Sequence, residues 1–229
     1  MPGQTIAQSA GPLGGGPDPA AAQRAADVDD ELVQLYPDAG CTLNHDGPFQ
    51  LLVATVLSAQ TTDARVNTIT PGLFARYPDA AALAGADRVD LETQLRPLGM
   101  QRTRADRLIA LGAELVTEHD GVVPADRDAL MALPGVGRKT AHVVLGNAFG
   151  IPAITVDTHV GRLARRLGWT ASRNPLAVEK DIAALWDPAR WTDGCHRLIA
   201  HGRRVCRARV PACDACRLNA VGLCPRAGV

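Results

Sequence analysis

The sequence predicts an all-α fold, and three of its features point to that class. Apolar side chains recur at helical spacing along most of the chain after about Asp27. Aromatic residues make up only 3% of the chain, so the core must consist mainly of Leu, Val, Ile and Ala, which suit packed helices better than a β-sandwich. No segment shows a convincing alternation of apolar and polar residues, the pattern of a half-buried strand.

The N-terminal half is predicted to contain a tail followed by a series of helices. Residues 1–25 lack a repeating apolar pattern, so we expect a disordered tail. Apolar spacing then predicts helices over 29–36, 49–59, 63–74, 80–84, 88–95 and 102–119. The Val and Thr residues of 49–59 would also suit a strand, and Pro71 could break the third helix. Asp120 and Gly121 give a turn signal that closes this half.

The C-terminal half contains further helical patterns separated by turns. Helices are expected over 125–133, 138–149, 158–167, 179–186 and 195–206. A tight turn from Pro134 to Gly137 separates the first two, and Gly168 stands where a helix end favours glycine. No internal repeat accompanies these patterns.

Basic residues are concentrated at the C-terminal end of the chain. The formal net charge is zero, which argues mildly against a nucleic-acid partner. However, residues 197–229 contain seven arginines and one acid, whereas residues 1–40 contain six acids and one arginine. The C-terminal arginines surround cysteines, which indicates an ordered basic surface.

The sequence shows neither a membrane segment nor a targeting segment. No stretch approaches the roughly 18 consecutive apolar residues of a membrane span. The N-terminus has no basic region followed by an apolar one, so no secretory signal is expected. We therefore expect the protein in the cytoplasm and without a membrane partner.

The segment from Leu133 to Ala141 places a glycine turn between two predicted helices. Gly135 and Gly137 permit positive φ and close approach of another backbone, and the next helix offers unpaired N–H groups and a positive dipole end. Together they form an anion site that suits a DNA phosphate. The alternative is an ordinary corner in which the glycines only make the bend. The glycines are too close together for a nucleotide-binding Walker A loop.

Lys139 falls in the first turn of the helix that follows this glycine turn. The helix dipole disfavours a cation at that position, and partial burial would act in the same direction. Both effects favour the neutral amine, which is a usable nucleophile and forms Schiff bases. The alternative is a surface lysine that contacts a phosphate.

Asp157 stands at the start of a predicted helix, where an aspartate often serves as the N-cap. Capping would also fix the position of its carboxylate. An acid held near Lys139 could take part in activating the amine and could stabilise positive charge that develops on a deoxyribose. His159 could bind a phosphate or simply complete a polar contact.

Four of the six cysteines lie close together near the C-terminus, as Cys206, Cys213, Cys216 and Cys224. In a chain without a secretory signal, this indicates a metal or iron–sulfur site rather than disulfides. The ligands permit a [4Fe–4S] cluster. Zinc is the alternative, although all-cysteine zinc sites usually have two close pairs and this chain has one. Arg204 and Arg207 flank the first cysteine and could contact DNA phosphates or partly compensate the charge of the cluster.

These motifs, taken together, resemble those of the endonuclease III family. Residues 133–141 are similar to its helix-hairpin-helix, lysine included, and residues 156–160 are similar to the segment that carries its catalytic aspartate. Residues 57–63 resemble an early helix end of the family, and residues 201–203 resemble the approach to its cluster. The resemblance runs from about residue 28 to residue 226.

The resemblance implies a bifunctional DNA glycosylase and AP lyase that acts on oxidised pyrimidines in damaged double-stranded DNA. Lys139 would attack C1′ of an extruded nucleotide and form a Schiff base, and β-elimination would then cut the strand 3′ to the lesion. Asp157 would be the essential acid. Gln60 and Met100 would fill the gap left by the extruded nucleotide, with Met100 as the apolar wedge. Further DNA contacts are expected at Gly135, Val136, Gly137, Arg138, Thr140 and His159.

The resemblance also implies two domains and a structural cofactor. A six-helix barrel domain would span 41–151, and an iron–sulfur cluster domain would combine 26–40 with 152–229, with DNA in the cleft between them. The four cysteines would hold a [4Fe–4S] cluster that is structural and DNA-binding but not catalytic. We expect a monomer that associates with the nucleoid.

Two segments depart from the family pattern. Residues 217–223 form a spacer of seven residues before the last cysteine where the family usually has five, so this segment should bulge. Residues 101–104 are Gln-Arg-Thr-Arg where the family often has Tyr-Asn-Ser-Lys, which leaves the lesion preference open.

Two rival functions predict different sequences. An adenine-mismatch glycosylase would lack the nucleophilic lysine and would usually carry a further C-terminal domain. A non-catalytic DNA-binding or redox-sensing module would not need both Lys139 and Asp157.

Overall fold

The computed structural model describes residues 18–229, and within this range the chain forms helices and turns but no strand. The α-helices are α1 (Pro19–Leu35), α2 (Pro48–Leu57), α3 (Asp63–Arg76), α4 (Ala80–Ala84), α5 (Arg88–Leu95), α6 (Gln101–His119), α7 (Arg127–Ala132), α8 (Arg138–Ala148), α9 (Thr158–Arg166), α10 (Pro175–Leu185), α11 (Trp191–Arg204) and α12 (Arg217–Ala220). Short 3₁₀ turns occur at Arg96–Leu98, Pro188–Arg190 and Cys213–Ala215. The predicted all-α class is confirmed. None of the described helices is long and apolar enough to cross a membrane.

The prediction of a disordered tail over residues 1–25 is wrong for the C-terminal part of this range. Residues 1–17 lie outside the described part of the chain, but α1 already begins at Pro19. Asp18 caps the helix by accepting a hydrogen bond from the Ala20 N–H at 3.0 Å, and proline is well suited to the first helical position. The alanines that follow are the strongest helix formers, and Ala25 is already fully buried.

Other helix boundaries differ from the predicted ones because of caps. Helix α10 begins at Pro175 rather than at residue 179, since the Asn174 side chain accepts from the Leu176 N–H at 2.9 Å. Helix α11 begins at Trp191 and ends before Cys206. Pro71 lies inside α3 without ending it. The spacer over residues 217–223, predicted to bulge, contains the one-turn helix α12.

The buried apolar residues of residues 18–229 form two separate clusters. The first collects side chains between Leu43 and Ala153 and contains the buried faces of α2 to α8. The second joins α1 to α9–α12, with Val28, Leu163 and Trp186 among its buried members. In the second cluster, residues far apart in the chain meet, because the indole N–H of Trp186 donates to the carbonyl of Ala25 at 2.9 Å. The predicted division into two domains stays a prediction, since neither cluster has been shown to fold alone.

Helix α8 belongs to the first cluster but contacts elements of the second. His196 Nε2 on α11 lies 2.8 Å from Asn147 Oδ1 near the end of α8. A Cβ at Gly146 would lie only 2.6 Å from Oγ1 of Thr192 on α11. The two helices therefore pack at a distance that only a glycine permits. This joint fixes the position of the C-terminal end of α8 relative to the second cluster.

Candidate active site

The glycine turn between α7 and α8 is compact and leaves the start of α8 without a side-chain cap. The Val136 N–H donates to the carbonyl of Leu133 at 3.1 Å, and Val136 is buried beneath the turn. Gly135 has φ +82°, and a Cβ there would lie 2.1 Å from Cδ of Arg107 on α6. The N-cap residue is Gly137, which has no side chain to accept from the first N–H groups of α8. Those N–H groups remain available for an anion.

The structure brings the predicted DNA contacts of this region into one turn and the start of one helix. Thr140 and Arg138 are half-buried in the first turn of α8. The Arg138 guanidinium is held by Glu179 on α10, to which Nε donates at 2.8 Å and Nη2 at 2.6 Å. This ion pair raises the pKa of Arg138 further above its already high ordinary value. An anion at the turn would therefore meet the backbone N–H of Arg138 rather than its side chain.

Lys139 is exposed in the first turn of α8. The partial burial considered from the sequence is not observed. Within residues 18–229, no carboxylate lies within ion-pair distance of Lys139. His142 follows three residues later, hence on the same helix face, and its Nδ1 lies 2.7 Å from the Ile154 carbonyl oxygen. This contact ties the Lys139 face of α8 to the segment that leads to Asp157.

Asp157 caps α9 through one of its two carboxylate oxygens. Oδ1 accepts from the N–H groups of His159 and Val160, both at 2.8 Å. Oδ2 accepts no hydrogen bond from any residue of the described range, and the side chain is half-buried. The sequence left capping and catalysis open as alternatives, and this geometry accommodates both. One oxygen fixes the carboxylate, and the other is free to face a substrate.

The segment before Asp157 is held from its other side by a buried cysteine. The Cys195 thiol on α11 is in hydrogen-bond contact with the backbone of Thr155, and burial raises the pKa of this thiol to about 12. A thiol with this pKa stays protonated at neutral pH and is a structural group.

His159 is half-buried next to Asp157. Its Nδ1 lies 3.1 Å from Nη2 of Arg162, one turn later on α9. Burial is the main cause that lowers the pKa of His159 below its ordinary value, and Arg162 and Arg203 add to this. The lowered pKa favours the uncharged imidazole, which lies in polar contact with Arg162, and the phosphate contact considered from the sequence stays a prediction.

Gln60 and Met100 lie at the tips of two neighbouring loops. Both are exposed, and both have positive φ, at +61° and +48°. The residue that connects these loops is Arg104, the last of residues 101–104 that depart from the family pattern, and no role was predicted for it from the sequence. A signal for it was present, because Arg104 continues the apolar spacing of Leu108 and Leu111 at a position where a core residue is expected.

The four C-terminal cysteines line one pocket between α9, the end of α11 and the C-terminal loop. All four are free thiols. Arg166 on α9 donates to Sγ of Cys206 at 3.3 Å, and Cys216 Sγ lies 3.5 Å from Nε2 of His201. Within residues 18–229, no three His, Cys, Asp or Glu side chains are close enough together to hold a single metal ion. The thiols thus surround a space without forming a compact single-ion site.

The two predicted DNA-contacting arginines of this region are exposed. The Arg204 guanidinium lies over the ring of Tyr36 on α1, 5.3 Å from the centroid. The backbone carbonyl of Arg207 accepts from Arg166 at 2.8 Å, while its own side chain is solvated. Both guanidinium groups face solvent beside the cysteine pocket.

Comparison with known proteins gives a consistent picture. Residues 53–188 match the family described as HhH-GPD superfamily base excision DNA repair protein. The chain is 48% identical over 206 residues to an Endonuclease III from Synechocystis sp., covering 90% of this chain and 93% of that relative. Two solved structures, a non-covalent Endonuclease III–DNA complex and a trapped Endonuclease III–DNA covalent intermediate, each show a TM-score of 0.83 and 43% identity. Each match covers 90% of this chain and 96% of the solved one.

Proposed function

The chain belongs to the HhH-GPD superfamily of base excision DNA repair proteins, and from that premise we propose that it is a bifunctional DNA glycosylase and AP lyase for oxidised pyrimidines. The observation that carries the proposal is the placement of Lys139. Its amine is exposed at the uncapped start of α8, directly after a glycine turn that suits a phosphate. The resemblance to the trapped covalent intermediate of a 43% identical relative supports a covalent route.

DNA binding would begin at the glycine turn. The free N–H groups at the start of α8 bind a backbone phosphate, which fixes the register of the duplex without reading its sequence. Gln60 and Met100 enter the stack from their two loops and occupy the space of the extruded nucleotide. The extruded sugar then lies between the starts of α8 and α9.

Lys139 would attack as the neutral amine. The lone pair of Nζ forms a bond to C1′, and the bond from C1′ to the base breaks with its electron pair leaving on the base. The departing base takes up one of the two Nζ protons. O4′ then leaves C1′ with its electron pair and takes up the second Nζ proton, which leaves the C1′=Nζ double bond of the imine. Removal of a C2′ proton then expels the 3′ phosphate and cuts the strand. Asp157 Oδ2 faces positive charge that develops on the sugar.

The cysteine pocket would hold a [4Fe–4S] cluster, since four free thiols line one space and a four-iron cluster takes one thiolate at each iron. When bound, the cluster would cross-link Cys206, which lies just after the end of α11, to the C-terminal segment that carries Cys213, Cys216 and Cys224. Iron and sulfide quantitation tests this, with Cys41→Ala as a control outside the pocket and Cys213→Ala expected to lower both.

Borohydride trapping tests the nucleophile with unusual precision, because the chain contains only two lysines, Lys139 and Lys180. Wild-type protein should form a covalent adduct with duplex DNA that carries an abasic site or thymine glycol. Lys139→Ala should abolish the adduct. Lys180→Ala, which removes an exposed lysine from α10, should leave it unchanged. Trapping of Lys139→Ala at the wild-type level would disprove the assignment.

A further inference from the structure

Two loops with strained tips lie side by side at the proposed DNA-binding face. Gln60 follows the end of α2, and Met100 is the N-cap residue of α6. Both residues adopt the left-handed region, which is costly for residues other than glycine. Met100 is also 52% exposed, so no burial of its side chain compensates for this strain. Such conformations persist only where the surrounding structure imposes them.

A single side chain connects the two loops. Arg104 is 5% exposed, and its guanidinium donates hydrogen bonds to both loops. Nη1 donates to the carbonyl of Leu57 at 2.5 Å, and Nη2 donates to the carbonyl of Ala59 at 2.7 Å. Leu57 is the last residue of α2, and Ala59 follows two residues later. Nε donates to the carbonyl of Gly99 at 2.9 Å, immediately before Met100. Three of its five N–H donors therefore fix backbone positions next to Gln60 and Met100.

As a core residue, Arg104 is energetically unfavourable compared with an apolar side chain at the same position. Within residues 18–229, Arg104 has no carboxylate partner, and burial lowers its pKa, with repulsion from Arg107 as a further cause. Burying a cation without a counter-ion costs more than burying an apolar residue of similar volume. The buried stripe of α6 continues with Leu108, Leu111 and Leu115, so an apolar side chain would fit the pattern at position 104. The charge is compensated only by the loop carbonyls.

We propose that Arg104 is a positioning residue that holds the Gln60 and Met100 loops at a fixed separation, so that both enter the duplex as one preformed unit. The planar guanidinium suits this task because its donors have fixed relative directions. Lysine, which the related family often has at this position, offers one rotatable ammonium group. This inference rests on the proposed function, since it assigns the loops to nucleotide extrusion.

Comparison of duplex with single-stranded substrate separates positioning from catalysis. An abasic site in single-stranded DNA needs no extrusion from a stacked helix, whereas the same site in a duplex does. Arg104→Met should lower the rate of borohydride trapping on duplex by about 10- to 100-fold, the cost of small misplacement. The rate on single-stranded DNA should be unchanged. Arg104→Lys should fall between wild type and Arg104→Met on duplex alone.

The matched control removes the same charge from the same helical turn. Arg102 is exposed, with only a long 3.9 Å contact to Glu92, and Arg102→Gln should leave both rates unchanged. If Arg102→Gln lowers the duplex rate as much as Arg104→Met, charge rather than loop geometry is responsible and the proposal is overturned. Equal losses of Arg104→Met on both substrates would also overturn it. Failure of the proposed function gives a different result, because the wild-type protein would then form no adduct or Lys139→Ala would form as much adduct as the wild type.

Hydrogen exchange provides a readout that a merely structural role would not give. Arg104→Lys and Arg104→Met should increase amide exchange over residues 57–61 and 98–100 together, while α6 and the rest of the first apolar cluster stay protected. An increase spread over α2 to α8 would show that Arg104 serves general stability and would refute a positioning role. Because Arg104→Lys retains the charge, it should stay folded and keep this test decisive.

Discussion

At the residue scale, Asp157 combines two tasks in one carboxylate. Oδ1 is occupied by the N–H groups of His159 and Val160, whereas Oδ2 is unpartnered in the described range. Asp126 provides an internal comparison, because its Oδ1 caps α7 in the same way, accepting from Asp128 and Ala129 at 2.9 Å. The two aspartates make the same cap, but only Asp157 follows the segment that the contact between His142 and Ile154 ties to α8.

The substitution Asp157→Asn separates the two tasks. Asparagine caps helices about as well as aspartate, so the free energy of unfolding should change by no more than about 0.5 kcal/mol. Glycosylase activity should fall by about 100-fold or more, the usual contribution of a positioned acid or base. Asp126→Asn should leave both quantities unchanged. Chemical unfolding and single-turnover assays measure the two effects, and full activity in Asp157→Asn would remove this residue from the mechanism.

The sequence was sufficient to single out Lys139 and Asp157, because each belongs to a local motif. Glycine turns, caps and cysteine spacings depend on neighbouring residues and can be read directly from the chain. Arg104 and Glu179 were missed, since their roles arise from contacts with residues about 40 positions away. Such contacts have no local signature, although an arginine within an apolar stripe marks Arg104 as unusual.

At the element scale, the joint between α8 and α11 depends on one missing side chain. A Cβ at Gly146 would lie 2.6 Å from Oγ1 and 2.7 Å from Cγ2 of Thr192. Thr192 is not free to move away, since its Oγ1 also lies 3.3 Å from the Ala153 N–H, which donates to it. Glycine within a helix normally weakens it, so its presence in α8 reflects close packing.

Replacement of Gly146 by alanine should therefore destabilise the protein despite the higher helix propensity of alanine. We expect a loss of about 1–3 kcal/mol, the usual cost of overpacking, which outweighs the gain of about 1 kcal/mol in propensity. Gly72→Ala is the matched control in α3, where a Cβ meets nothing within 4 Å. That variant should gain about 0.5–1 kcal/mol. Urea unfolding of both variants measures the difference.

A double variant distinguishes the clash from other causes. Thr192→Ala removes both close atoms, so Gly146→Ala should cost less in that background than in wild type. Equal costs in the two backgrounds would show that the contact with Thr192 is not the reason for the glycine.

The central parts of the helices were predicted more accurately than their ends. Central parts of the helices follow apolar spacing and were placed correctly, from α2 to α9. Helix α1 was assigned too late because its first two turns are rich in alanine and show no apolar contrast until their burial against the second cluster is known. Tertiary packing, rather than local spacing, sets that boundary.

At the scale of the whole molecule, the formal net charge is zero, but the acidic and basic residues differ in how far they are paired with each other. Three of the four acids of α1 form ion pairs with arginines of the C-terminal half. Asp29 is buried and bonded to Arg197 at 2.7 Å and to Arg190 at 3.0 Å, and Glu31 accepts from Arg217 at 3.0 Å. In contrast, Arg204, Arg207 and Arg209 are exposed and have no carboxylate partner within residues 18–229. A neutral chain thus presents a basic surface.

The presence of paired acids and unpaired arginines in the described part of the chain predicts the salt dependence of DNA binding. Each arginine that neutralises a phosphate contributes about 0.9 to the slope of log affinity against log salt concentration. Arg204→Gln and Arg207→Gln should each reduce the magnitude of the slope by about 1, as measured by fluorescence anisotropy with a duplex that carries an abasic analogue. Arg88→Gln removes the same charge from α5, where the arginine already binds Asp106 at 2.7 Å, and should leave the slope unchanged. If Arg88→Gln lowers it equally, DNA responds to net charge, and the ion pairs of α1 are irrelevant to binding.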